Sequence, residues 1–200
     1  MRTKGDVAEV LLGNVVLLSS AALETERTFG RLAKDVTKRP LQTVIVGGLG
    51  FGATARGVLD VALETTRVVV VEKLDAIEAL VRGELAHISE RVLDDPRIEL
   101  VVGDVSDVIA REHDVDAILL DVDNGPGWAS FRTNARLYAE AGLASAHAAL
   151  TKGGSLAVWS GYPADKFVGA LRKAGLVPRI VPLTERGVVR ARAYLGTRAS

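Results

Sequence analysis

The stretch "VIVGGLGFGATA", residues 44–55, reads as a strand, a turn and a helix in quick succession. An apolar run enters Gly47, Gly48, Gly50 and Gly52, and "ATARGVL" leaves as a helix. A tight strand-to-helix turn needs one or two glycines, and this one has four in six residues. Glycine has no Cβ, so a chain segment or a ligand can approach its backbone closely. The turn is therefore expected to be shaped around a close neighbour.

Outward from this turn the chain alternates regularly. Apolar, β-branched runs occur at 43–47, 67–71, 98–102, 116–120 and 155–159. They are unbroken rather than alternating, as in strands buried on both faces. Helical segments lie between them, over 75–92, 131–150 and 163–174. Ile77, Leu80, Val81, Leu85 and Ile88 form one stripe of the first. Strands alternating with helices imply a parallel sheet covered on both faces.

The two ends differ from this pattern. Near the start, residues 8–19 are two apolar runs around Gly13-Asn14, which predicts a hairpin. A helix over about 24–36 follows, with Glu24 and Glu26 early and Lys34 and Lys38 late, as the helix dipole prefers. Pro40 stops it. Toward the other end, 176–183 and 188–196 are joined by "TERG", so the last strand is expected to be antiparallel. Pro178 and Pro182 favour an edge position for its partner. The chain is expected to divide into a short N-terminal hairpin and helix (1–40) and an alternating α/β domain (41–200).

Composition narrows the function. The chain has 200 residues, with Lys+Arg equal to Asp+Glu at 25 each. A neutral chain has no bulk attraction to nucleic acid or an anionic membrane, so neither is expected as a partner. Cysteine is absent, which excludes a thiolate metal site or a cysteine nucleophile. His87, His113 and His147 lack metal-ligand spacing, and no metal is expected. No apolar run reaches the roughly 20 residues of a membrane span. The opening residues lack the apolar core of a signal peptide, so a cytoplasmic protein is expected.

The glycine turn admits two ligand readings. Gly48-x-Gly50-x-x-Ala53, with Glu72 about 20 residues on, fits a dinucleotide fingerprint. Gly48-x-Gly50-x-Gly52 equally reads as the glycine loop of class I S-adenosylmethionine-dependent enzymes. In either case Glu72, ending the second strand, would grip ribose hydroxyls. Two features favour the adenosyl reading: Asp104 after strand three and Asp121 and Asp123 after strand four, and the antiparallel C-terminal hairpin. Ligands of open α/β sheets bind at the carboxyl ends of the strands, where these acids stand.

With these segments in place, the sequence resembles the spermidine synthase family, the polyamine aminopropyltransferases, over about residues 8–175. "VIVGGLGFGATARGVL" is similar to its glycine loop and "VVVVEKLDAIEAL" to its ribose-binding strand. Gly103-Asp104-Val105 stands where that family reads Gly-Asp-Ala beside adenine. "DAILLDVDNGPGW" resembles its catalytic Asp-Ser-Ser-Asp-Pro segment, and "LYAEAGLASAHAALTKGGSLAVWS" the helix and fifth strand that follow. The resemblance implies an α/β protein with a Rossmann-like class I methyltransferase fold. Its sheet would be mostly parallel, with a C-terminal antiparallel hairpin and a short N-terminal β-hairpin in front.

It also implies a chemistry. Decarboxylated S-adenosylmethionine, or S-adenosylmethionine itself, would be the co-substrate and a small-molecule amine the acceptor. Gly48, Gly50, Gly52, Glu72, Asp104 and Val105 would hold the nucleoside. Asp121 would be the general base, because an ammonium is not a nucleophile until it loses a proton. Asp123 or Asn124 would hold the acceptor or the donor's amino group. Trp128, Phe131, Trp159 and Tyr162 are candidate walls.

Three departures stand beside these matches. The family's second aspartate falls on Asn124 unless Asp123 substitutes. The glycine loop carries Leu49 and Phe51 where the family has an acid for the donor's free amine. The gatekeeping Tyr-Gln pair is not visible in "SSAALETERTFG". A methyltransferase acting on a small molecule, and a degenerate adenosyl-binding protein or homodimer, therefore stay open beside the aminopropyltransferase.

Overall fold

The computed structural model describes residues 2–4, 7–35, 37, 39–122, 125–126 and 134–199. The chain begins with β1 (Arg2–Lys4), β2 (Val7–Leu12) and β3 (Val15–Ser19), a small antiparallel sheet. The expected hairpin is β2–β3, with Leu12 paired to Val15 across the Gly13-Asn14 turn. A third strand, β1, adds to its outer edge with Arg2 opposite Glu9, and the two side chains form an ion pair. The first helix, α1 (Glu24–Asp35), follows.

The glycine-rich stretch forms β4 (Thr43–Gly47), the turn, and α2 (Ala53–Leu59). The alternation then continues as β5 (Arg67–Glu72), α3 (Asp75–Arg82), β6 (Ile98–Val102), α4 (Val105–Arg111) and β7 (Val115–Leu120). After them come α5 (Ala135–Tyr138), α6 (Glu140–Ala149), β8 (Leu150–Ser160) and α7 (Asp165–Lys173). The chain closes with β9 (Leu176–Glu185) and β10 (Val188–Arg198).

Seven strands form one sheet in the order β6-β5-β4-β7-β8-β10-β9. Strands β4 to β8 are parallel, and β10 is antiparallel to both β8 and β9. The sheet is wound outward from β4 in both directions, so the topological switch point lies between β4 and β7. As expected, β9 with Pro178 and Pro182 is an edge strand.

The unbroken apolar runs are explained by burial on both faces. Val44, Val46, Val68, Val70, Ala117 and Leu119 pack into one core with Phe29, Leu32 and Val58. Their sequence neighbours Ile45, Val69, Val71, Ile118 and Leu120 pack into the other with Val108, Leu143 and Leu171. Alternate residues of each strand thus face opposite helical layers.

Two helices differ from their sequence reading. The segment expected as one helix over 75–92 stops at Arg82. Gly83 caps it, and its N–H bonds the carbonyls of Ala79 and Leu80. Successive turns follow, with Glu90 and Arg91 in the left-handed region. Leu85 stays 1% exposed, so these turns deliver the same apolar stripe to the core without a continuous helix. The segment expected over 131–150 is broken at Ala139, whose extended backbone separates α5 from α6. Residues 131–133 lie outside the described residues.

The first helix is set in place by one close contact. It crosses α2 at Gly30 and Gly57, where the two backbones touch. A Cβ on Gly30 would lie 2.1 Å from the Thr54 carbonyl oxygen, and one on Gly57 would lie 2.1 Å from that of Arg27. Both obstacles are backbone and cannot rotate away. From this crossing Phe29, Leu32 and Ala33 enter the core, and Arg27 reaches Asp60 with Nε–Oδ2 at 2.9 Å. Gly30→Ala is expected to lower stability by about 1–3 kcal/mol, the usual cost of overpacking. Thermal and urea unfolding measure it. A wild-type melting temperature in the variant would mean that the two helices are not held at this distance.

Candidate active site

The carboxyl ends of the parallel strands open into a cleft of about 430 Å³. That volume suits a small-molecule site. Strand order arranges its groups in a line: Asp104 after β6, Glu72 at the end of β5, Gly48 after β4, Asp121 after β7, and Trp159 in β8. From Asp104 to Asp121 is three strand spacings, roughly 14 Å. Val16, Leu18 and Ser19 of the N-terminal sheet and Glu26 of α1 close the other side.

The turn that begins at Gly48 is shaped first around protein. Gly48 has φ +93°, and a Cβ there would lie 2.2 Å from the carbonyl oxygen of Asp121. Its N–H bonds the Val71 carbonyl at 2.8 Å. The glycine thus lets the turn pass directly over the end of β7, which brings Asp121 against the loop. Gly48 and Gly50 line the cleft. Gly52 instead starts α2, facing Val92 and Ser89, and is not part of the cleft wall.

Glu72 is 8% exposed. Its Oε2 accepts the Leu49 N–H at 3.0 Å and its Oε1 accepts the Leu74 N–H at 2.9 Å. Each oxygen keeps a second lone pair. The carboxylate is thereby oriented, with two acceptor positions unused among the described residues.

Asp104 is more heavily engaged. It is the N-cap of α4: Oδ1 accepts from Ser106 N at 3.0 Å and Ser106 Oγ at 2.6 Å. Oδ2 faces Lys73 Nζ at 3.1 Å and Arg136 Nη2 at 2.8 Å. Burial pushes its pKa up, but these donors outweigh burial and hold the carboxyl well below the usual carboxylate range. A nucleobase amino group reaches Asp104 only where Lys73 or Arg136 moves aside, and both are half exposed. Val105, which opens α4, is buried and lines the cleft beside it.

Asp121 has the opposite environment. Its Oδ2 accepts the Thr54 hydroxyl at 2.6 Å. Burial pushes its pKa up to about 6, and the Thr54 bond opposes this only in part. Glu26 lines the same end of the cleft. Burial first, and the charge of Asp121 second, raise its carboxyl well above the ordinary range. The Thr54 hydroxyl also lies 3.3 Å from the Glu26 carbonyl oxygen, tying α1, α2 and the end of β7 together.

Trp159 lines the cleft, and its buried Nε1 has no hydrogen-bond partner among the described residues. Tyr162 is 53% exposed and is not part of the cleft wall. Asp123, Asn124, Trp128 and Phe131 lie outside the described residues. The sequence reading missed Glu26 and Thr54 as site groups. Glu26 was read only as an acid in a helix's first turn, and no local pattern shows what that helix packs against.

The fold is the Rossmann-like class I methyltransferase fold, in a spermidine synthase-like form. Among solved structures the chain is similar to a spermidine synthase in complex with the transition-state analogue AdoDATO. The TM-score is 0.71 and the identity 18%, over 94% of this chain and 64% of that one. It is similar to the spermidine synthase of Thermotoga maritima at TM-score 0.70 and 17% identity, over 95% of this chain and 65% of that one. An S-adenosylmethionine-dependent O-methyltransferase from Thermotoga maritima matches at TM-score 0.57 and 20% identity, covering 88% and 65%. The chain thus spans just under two thirds of the two synthases. No protein-family model matches the sequence, and neither does any curated protein. No helix among the described residues is long and apolar enough to cross a membrane.

The raised pKa of Asp121 has a consequence for stability. A carboxyl that is harder to ionise folded than unfolded contributes stability below its unfolded pKa, near 3.8, and loses it as pH rises through about 6. Asp121→Asn removes that ionisation. The variant is expected to melt above the wild type at about pH 7.5 and to lose the advantage near pH 4. Thermal melts across this range test it. An advantage that is the same at both pH values would mean that Asp121 carries no raised pKa.

Proposed function

We propose that the chain is a spermidine synthase-like transferase. It moves an aminopropyl group from decarboxylated S-adenosylmethionine to an amine acceptor and releases methylthioadenosine. The observation that carries this reading is the contrast along one cleft. A carboxylate oriented for two hydroxyls, Glu72, stands at one end, and a carboxyl with a raised pKa, Asp121, stands at the other.

On this reading the adenosine lies over the ends of β5 and β6. Glu72 takes the ribose hydroxyls, and Val105, Leu74 and Ile77 pack around the base. The sulfonium then falls near the switch point, with the acceptor beside Asp121. The ammonium gives a proton to Asp121, and the freed nitrogen lone pair attacks the carbon next to sulfur. As the N–C bond forms, the C–S bond breaks and its electrons stay on sulfur as a neutral thioether. A carboxylate ionising near pH 6 is mostly deprotonated at neutral pH, and it is a stronger base than an unperturbed aspartate.

A methyltransferase is the second reading, and the turn itself favours it. Leu49 and Phe51 are 3% and 2% exposed, so their side chains sit in the core, and neither supplies an acid for the donor's free amine. Supplying decarboxylated or intact S-adenosylmethionine in parallel assays separates the two by which donor is consumed.

Three outcomes are expected. Methylthioadenosine should raise the melting temperature, because a ligand that binds only the folded state stabilises it; NADH should not. Glu72→Ala should weaken nucleoside binding by about tenfold or more, as losing charge-assisted hydrogen bonds implies. Asp121→Asn should lower turnover by roughly 10²–10⁴ with nucleoside affinity little changed. It should also abolish a rate increase with pH centred near 6 in the wild type. Stabilisation by NADH alone would overturn the adenosyl reading. A fully active Asp121→Asn protein would make Asp121 a structural group.

A further inference from the structure

Glu26 is not accounted for by anything above. It lines the cleft, yet its carboxyl accepts no hydrogen bond from any described residue. The other acids of the cleft are engaged. Glu72 is held by two backbone N–H groups, and Asp104 by Ser106, Lys73 and Arg136. Among the described residues Asp121 has only the Thr54 hydroxyl. Two under-satisfied carboxyls thus share one end of a cleft, and among the described residues no cation lies between them. Such a pair is costly, because burial and like charge both oppose ionisation.

Its position is not an accident of a loose surface. Glu26 stands one helical turn before Gly30, where α1 touches α2 backbone to backbone. Thr54, on the facing turn of α2, donates its hydroxyl to the Asp121 carboxyl and lies 3.3 Å from the Glu26 carbonyl oxygen. A rigid contact therefore delivers the acid to this place. The surroundings suit an organic cation. Trp159 contributes an aromatic wall, and Val16 and Leu18 supply an apolar wall from β3. A cation over an indole face is attracted by the ring quadrupole.

We infer that Glu26 is the residue that selects the acceptor: with Asp121 it forms a carboxyl pair that takes the cationic head of a primary amine, whose aliphatic chain lies along Val16 and Leu18. This rests on the adenosyl-transferase reading of the same cleft. An ammonium between the carboxyls relieves their repulsion and supplies their missing donors. An alcohol leaves the pair uncompensated, and a carboxylate adds a third negative charge. Glu26 binds and orients the ammonium, while Asp121 remains the group that receives its proton.

The test is equilibrium binding, which does not depend on turnover. Hexylamine, hexanol and hexanoate are titrated calorimetrically into the protein saturated with methylthioadenosine. The amine is expected to bind at least about tenfold more tightly than either analogue. Glu26→Gln should weaken the amine by about tenfold or more and bring it within about threefold of the alcohol. This variant removes a buried carboxyl that has no donor among the described residues, so it should melt at or above the wild-type temperature. If it fails to fold, Glu26→Asp keeps the charge and should keep the preference for amine over alcohol. Equal binding of amine and alcohol by the wild type overturns the inference, as does unchanged amine affinity in Glu26→Gln or loss of the preference in Glu26→Asp. Amine binding that depends on Glu26, without methylthioadenosine release from decarboxylated donor, supports the acceptor site and removes only the aminopropyl reaction.

Discussion

The contact on which the cleft depends is the passage of Gly48 over the carbonyl of Asp121. Any side chain at Gly48 would place its first carbon 2.2 Å from that oxygen. The approach follows from the winding of the sheet. Strands β4 and β7 are parallel neighbours, paired from Val44↔Ala117 to Gly47↔Leu120, so both chains emerge side by side at the switch point. One must turn sharply into α2 while the other continues, and only a residue without a Cβ lets them cross at backbone distance. The glycine-rich loop is thus built against the protein itself. That is why the loop and the acid after β7 belong to one site.

Electrostatics then divides the cleft. The chain as a whole is neutral, so its acids act locally. At the β6 end Asp104 is neutralised by Lys73 and Arg136 and caps a helix, which gives it a structural role. At the β7 end Asp121 and Glu26 face each other with few donors, and both resist ionisation. A folded protein keeps under-satisfied carboxyls at a cost to its stability, and such groups concentrate at functional sites. The stabilised end and the strained end are three strands apart.

The N-terminal segment matters more than its length suggests. Its helix covers one face of the sheet: Phe29, Leu32 and Ala33 share a core with Leu119, Ala157, Leu183 and Ala193. Its small sheet contributes Val16, Leu18 and Ser19 to the cleft wall. A segment that both seals a core and walls the cleft couples the shape of the cleft to folding. Its anchor is the Gly30–Gly57 crossing, in which neither residue makes a polar contact with the cleft.

The sequence by itself determined the strand-and-helix alternation, the glycine turn, the antiparallel ending and the acids at the strand ends. Each is a local signal: β-branched runs buried on both faces, φ-permissive residues at turns, and a polar residue where an apolar strand stops. Helix ends were less legible, because Gly83 and Ala139 break helices whose apolar stripe continues past them. Only the tertiary structure decided which acids meet. Asp104 lies 32 residues from Arg136, and Glu26 lies 95 residues from Asp121. Whether the first is neutralised and the second repelled depends on helix packing and strand order. Those are set by the sum of core contacts rather than by any pattern along the chain.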